Sequence, residues 1–324
     1  RLHSPRMEPP RASAGTPAAV RRPGARPAAA LLIALCTVCA AAVSADERAA
    51  VCALPAPSVP PDPTRCAGLI DDAALPAGGD RIEAWIARAR REAALARHDL
   101  AEAALDCAVA ASPPSPDAAL KRRLLRARGG LDYARERMPD ALERLQCALA
   151  ISSAGDDREA EAADLNALGS ALRRLGDYRG ALTTLTESLE MRRATGGETG
   201  AVLNNIADVY RELGDRVEAM RHYREALAAF RDADDSAHAA HVLESMAVVV
   251  LEDGDPAEAR RRLEEALASY RAERRRDFEL RVHGWLVRAA LADGDFDAAR
   301  RWSATGQALA LEHRLAAPAS FTLQ

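Results

Sequence analysis

The sequence predicts an all-α fold, a right-handed α-solenoid of about six stacked helical hairpins. Three observations carry that prediction. Gly176-Asp177, Gly214-Asp215, Gly254-Asp255 and Gly294-Asp295 recur 38, 40 and 40 residues apart, and self-similarity at such a period marks an array of one supersecondary unit. Each dipeptide leads into an Ala-centred amphipathic stretch, such as VEAMRHYREAL from Val217 and AEARRRLEEAL from Ala257. The 324 residues are 48% hydrophobic, 4% aromatic and 28% charged, which suits a helical array better than a large enzyme core. No alternating run of β-branched residues predicts a strand.

The clearest unit runs from Gly200 to Phe230. Leu203, Ile206, Ala207, Tyr210 and Leu213 fall on one face of a first helix. Gly214 supplies the left-handed residue that ends it, and Asp215 caps the next. Ala219, Tyr223, Ala226, Leu227 and Phe230 repeat the apolar face on a second helix. A lone hairpin cannot bury that face, so it needs stacked neighbours. The preceding unit reads Leu165, Leu168, Gly169, Leu172, Ala181, Leu185 and Ser188. The following one reads Leu243, Met246, Ala247, Val250, Ala259, Leu263 and Ala266, and a fainter one Leu286, Val287, Ala290, Ala299 and Gly306. Two degraded units come first, one with Leu125, Gly129, Ala141, Leu145 and Ala148, the other with Ala103 inside HDLAEAALDCAVA. The expected organisation is an N-terminal extension with an export signal at 1–45, a Pro-rich linker at 46–79, repeats at 80–315 and a tail at 316–324.

At these residues the chain resembles the tetratricopeptide repeat family. Its pattern runs large, Leu, Gly/Ala, Tyr in the first helix and Ala, aromatic, Ala in the second. The family's closing Pro is missing here, and a period near 40 rather than ~34 resembles its longer-repeat branch. The resemblance implies a groove lined by first helices, with their non-core positions facing a protein or peptide partner. Those positions include Asn166, Ser170 and Arg173, then Asn204, Asn205, Asp208 and Arg211, then His241, Glu244, Arg281 and Arg288. Asn166 and Asn204 are equivalent in adjacent units. An amide both donates and accepts, which suits a peptide backbone; it equally suits a bond between neighbouring repeats. The arginines add a means of recognising acidic side chains or a C-terminal carboxylate.

The N-terminus reads as targeting. Residues 1–6 precede Met7, where the natural chain is expected to start. Arg21, Arg22 and Arg26 precede an apolar run from Ala28 to Val43, and Val43-Ser44-Ala45 is a small-x-small cleavage signal. That is the layout of a secretory signal peptide, with an uncleaved membrane anchor as the alternative. The run is shorter than the ~20 residues of a spanning helix. Leu35 and Val38 disfavour lipidation at Cys36 or Cys39. The expected location is the bacterial periplasm. Residues 46–324 carry 38 basic and 47 acidic side chains, a poor balance for nucleic acid or anionic lipid. Four cysteines remain there: Cys52, Cys66, Cys107 and Cys147. An even count in an oxidising compartment predicts disulfides. Cys52 and Cys66 flank the Pro-rich LPAPSVPPDPTR and are read as a local pair. Cys107 and Cys147 match in adjacent second helices, as a pair or as two buried thiols.

The motifs that carry chemistry are missing. His238 and His241 stand at i, i+3 without a third ligand at suitable spacing. Asp232, Asp234 and Asp235 lack the Gly and closing Glu of a calcium loop and read as a turn. Gly196 to Gly200 follows no strand and holds no Lys, so it is no phosphate loop. No Gly-x-Ser-x-Gly or His-Glu-x-x-His occurs. The sequence therefore predicts a non-catalytic scaffold, with no metal and no cofactor, whose groove takes a protein or peptide. The layout also resembles the periplasmic sensing region of bacterial diguanylate cyclases and histidine kinases, which makes a truncated sensor the alternative reading.

Overall fold

One helical hairpin forms from each 38–40-residue interval. The structure is a computed structural model that describes residues 79–313. The expected export signal and the Cys52–Cys66 pair lie outside the described residues. Six hairpins follow one another: α1 (Gly79–Ala94) with α2 (His98–Ala111), α3 (Ala118–Ala134) with α4 (Met138–Ser153), α5 (Arg158–Leu175) with α6 (Tyr178–Thr195), α7 (Gly200–Leu213) with α8 (Arg216–Asp232), α9 (Ser236–Glu252) with α10 (Pro256–Ala272), and α11 (Arg276–Ala292) with α12 (Phe296–His313). Among the described residues there is no strand. Each second helix packs on the next first helix, and successive first helices also touch. First helices therefore form one layer and second helices the other.

The Gly-Asp dipeptides build the hairpin turns. Gly176, Gly214, Gly254 and Gly294 all adopt φ between 75° and 86°, a region open to glycine without Cβ strain. The following aspartates cap the second helices: Asp177 accepts from the Gly180 N–H at 2.9 Å, Asp215 from Glu218 at 3.1 Å, Asp255 from Glu258 at 2.9 Å and Asp295 from Ala298 at 2.9 Å. In the first two hairpins the left-handed position falls to Ala96 (φ 55°) and Glu136 (φ 61°). Arg97 and Arg137 stand in the cap position without a capping side chain. Same turn, poorer chemistry.

Packing follows the small-large alternation. Ala207, Ala219, Ala226 and Tyr223 are completely buried, and Ile206, Leu203 and Phe230 close around them. At Gly169 an added Cβ would lie 2.6 Å from Leu185 Cγ, so glycine sets the α5–α6 approach. Ser188 takes the last small slot of its hairpin and donates to the Ala162 carbonyl at 2.6 Å. Two core positions depart from the pattern. Asp164 occupies the register of Val202, Val242 and Val282 and is fully buried beside Arg122 at 3.2 Å and Arg126 at 3.7 Å. Asp132 takes the register of Tyr210 and is held by Arg137 at 2.5 Å and by Arg144. Burial pushes the Asp164 carboxyl above its usual value even though both arginines oppose that shift.

Candidate functional site: a groove along the first helices

Two cavities open on the first-helix layer. One, of about 530 Å³, is floored by Ala89, Ala93, Ala127, Ala134 and Ala167, with Arg90, Arg126 and Arg173 among its walls. The other, of about 620 Å³, is lined by charged residues of α5, α7, α9 and α11, including Asp208, Glu244 and Glu252. Arg173 lines both, so the cavities are continuous in composition along the array.

The periodic register explains why these side chains meet. Gly130, Ser170, Asp208, Val248 and Arg288 occupy one position of successive first helices, and all five line a cavity. Tyr133, Arg173, Arg211 and Leu251 share a second position, three residues further on. A third position holds Ala167, Asn205, Ser245 and Trp285. Residues three apart lie side by side on a helix, so these rows form a strip.

The second cavity is laced with ion pairs that cross from repeat to repeat. Arg281 grips Glu244 in a fork, Nε to Oε1 at 2.6 Å and Nη2 to Oε2 at 2.8 Å. Its guanidinium also lies 4.6 Å over the Phe278 ring and 3.5 Å from His241 Nδ1. Burial lowers the His241 imidazole, and nearby Arg281 adds to this while Glu244 opposes it. Arg173 pairs with Glu212 and approaches Asp208 at 3.7 Å. The Tyr223 hydroxyl donates to Asp208 Oδ1 at 2.5 Å; burial and that carboxylate push the phenol upward. Arg288 differs. It sits 4.4 Å over the Trp285 ring and is in none of the ion pairs found among the described residues.

Ser170, Arg173, Asn205, Asp208, Arg211, His241, Glu244, Arg281 and Arg288 all line the cavities. Asn166 lies beside them, its Oδ1 accepting from Asn205 Nδ2 at 2.8 Å. Asn204 is buried, and its Oδ1 has no partner among the described residues. Arg90, Arg126, Tyr133, Ser245 and Trp285 also line the groove. Extending the register through the two degraded units would have found Arg126 and Tyr133. His238 turns to Asp235 at 2.7 Å and stacks on Phe230, so its partners differ from those of His241. Among the described residues no three potential metal ligands converge.

Residues 120–194 and 198–272 match the sequence model of the tetratricopeptide repeat family. These residues form tetratricopeptide repeats. The turns, small-residue slots and first-helix layer described above are features of these tetratricopeptide repeats and their flanking hairpins. Solved structures share the fold. BtubC (BKLC) from P. vanneervenii is 20% identical, with TM-score 0.54, covering 73% of this chain and 94% of that one. The Rap protein complexed with competence and sporulation factor is 14% identical with TM-score 0.61, covering 75% and 69%. The apo quorum sensor NprR from B. thuringiensis is 18% identical with TM-score 0.54, covering 75% and 68%. No curated protein matches the sequence.

Proposed function

We propose that the chain is an exported, non-catalytic tetratricopeptide scaffold that binds a protein or peptide along its first-helix groove. The observation that carries this reading is the pair of cavities joined at Arg173. Together they are lined by six arginines against three carboxylates, on a chain whose formal charge is −4. A cleft of opposite sign to the whole molecule favours an acidic partner at encounter. The Ala-rich floor admits apolar side chains, and Arg288 over Trp285 offers donors to a carboxylate. Another structural neighbour, the Rap conjugation gene regulator of plasmid pLS20, was solved in complex with the Phr* peptide, which supports a peptide as the class of ligand. Export rests on the three-part layout of residues 1–45.

The test is affinity capture from periplasmic extract with the full chain, followed by synthesis and titration of the captured peptide. Groove variants Arg173→Ala and Arg288→Ala run beside Arg224→Ala, an exposed residue of the second-helix layer. Loss confined to the groove variants supports the reading. Retention in both, or loss only in Arg224→Ala, rejects it.

A further inference from the structure

The two groove cavities differ in charge as well as in place. All three carboxylates that line the groove, Asp208, Glu244 and Glu252, belong to the larger cavity. Among the described residues no carboxylate lines the smaller one, formed mainly by α1, α3 and α5, although three arginines do. Several of its polar side chains are already committed. Ser170 donates to the Asn166 carbonyl at 3.0 Å, Asn205 to Asn166 Oδ1 at 2.8 Å, and Arg173 pairs with Glu212 and Asp208. Arg90 and Arg126 differ. Arg90 is in none of the ion pairs found among the described residues, and Arg126 shares the Asp164 carboxylate with Arg122, at 3.7 Å and 3.2 Å. Burial lowers the Arg126 guanidinium, and Arg90, Arg122 and Arg192 lower it further while Asp164 opposes them. That corner of the cavity carries a surplus of positive charge, which an anion would relieve.

The floor of this cavity is apolar and is kept open by a missing side chain. Ala89, Ala93, Ala127 and Ala167 form it, with Leu131 and Leu145. Gly130 takes the row position of Arg90 and Ser170, at 40-residue steps. A Cβ there would meet nothing within 4 Å, so the glycine leaves space that a side chain would fill. The cavity's volume of about 530 Å³ falls among small-molecule sites, which span roughly 300–1,000 Å³ and are mostly apolar with a few placed polar groups. An extended peptide brings an N–H and a C=O with every residue, and over alanine methyl groups these go unpaired at a cost. An acyl chain brings neither. We infer that this cavity is a binding site for a free carboxylate on an aliphatic chain, its head at Arg90 and Arg126 and its chain along the alanine floor. A guanidinium fork takes both carboxylate oxygens, and the chain leaves water for an apolar surface. The site shares the groove with the proposed peptide ligand, whose apolar side chains would compete for the same floor, but it stands whether or not a peptide binds.

The probe is sodium decanoate, titrated into the full chain by isothermal calorimetry beside 1-decanol and acetyl-leucyl-leucine. Saturable one-to-one binding of decanoate is expected, roughly tenfold or more tighter than that of decanol, which lacks the charge. Arg90→Gln should weaken decanoate by a similar factor. Gly130→Leu should fill the cavity and abolish the signal, while its circular dichroism spectrum matches the parent. No binding of decanoate, equal binding of decanol, or undiminished binding by Gly130→Leu overturns the inference. If Gly130→Leu does not fold, Arg90→Gln decides, and parental affinity in that variant overturns it. The dipeptide separates this site from the peptide reading. Saturable binding of acetyl-leucyl-leucine without decanoate rejects the acyl site and leaves the peptide groove standing, whereas binding of decanoate alone supports the acyl site.

Discussion

Gly169→Ala should destabilise the array, although alanine is the better helix former. An alanine Cβ there would stand 2.6 Å from Leu185 Cγ and 2.7 Å from Cδ2, about 1 Å inside ordinary carbon contact. Leu185 is fully buried and has no free side to retreat to. Overpacking of this kind costs about 1–3 kcal/mol, offset by up to ~1 kcal/mol of helix propensity. The expected net loss is about 1–2 kcal/mol. Gly130 on α3 is the control, since an added Cβ meets nothing within 4 Å; Gly130→Ala should gain about 0.5–1 kcal/mol. Urea denaturation followed by far-ultraviolet circular dichroism reads both, as midpoints shifted in opposite directions. At a typical slope the Gly169→Ala shift is roughly 0.5–1 M. Adding Leu185→Ala to Gly169→Ala should cost less than the sum of the single changes, because the truncated side chain makes room for the methyl group. If Gly169→Ala raises the midpoint as Gly130→Ala does, the close α5–α6 approach is wrong.

Ala96→Gly with Arg97→Asp should restore the turn used by the later hairpins and raise the thermal midpoint by an amount equivalent to about 1–2 kcal/mol; no change would mean that the left-handed strain at Ala96 is absent. His283 is buried against Trp302, and burial together with Arg271 holds its imidazole down to about 4. It folds neutral, so stability is full above ~6.5 and falls as pH drops toward 4, by up to about 3 kcal/mol. His283→Phe should flatten that part of the acid limb, and an unchanged limb refutes the assignment. Arg281→Ala leaves Glu244 buried without its fork and should cost about 2–4 kcal/mol, whereas Arg281→Ala/Glu244→Gln should recover much of the loss; equal losses in both variants would argue against the pair.

The array was legible because its signals are local and repeated. Gly214, Asp215, Ala219 and Tyr223 each have one structural task, and the chain states it again every 38–40 residues. The groove was legible where the register was clean, from Ser170 to Arg288. It was obscured in the degraded units, where Ala96 and Glu136 stand for glycine and Asp132 for an apolar core residue. Pairings such as Arg281 with Glu244 or Asn205 with Asn166 span 37 and 39 residues, one repeat apart, and no pattern within a single helix reveals them. The burial of Cys107 and Cys147 was hidden for a related reason. Their register position is exposed or half-exposed in the later second helices.

The central claim is that the first-helix layer is the binding surface. Its most direct test is the binding isotherm of one captured peptide against the parent chain, Arg288→Glu and Arg224→Glu. The account predicts at least a tenfold loss for Arg288→Glu and an unchanged affinity for Arg224→Glu. The reverse order would place the ligand on the second-helix layer and contradict it.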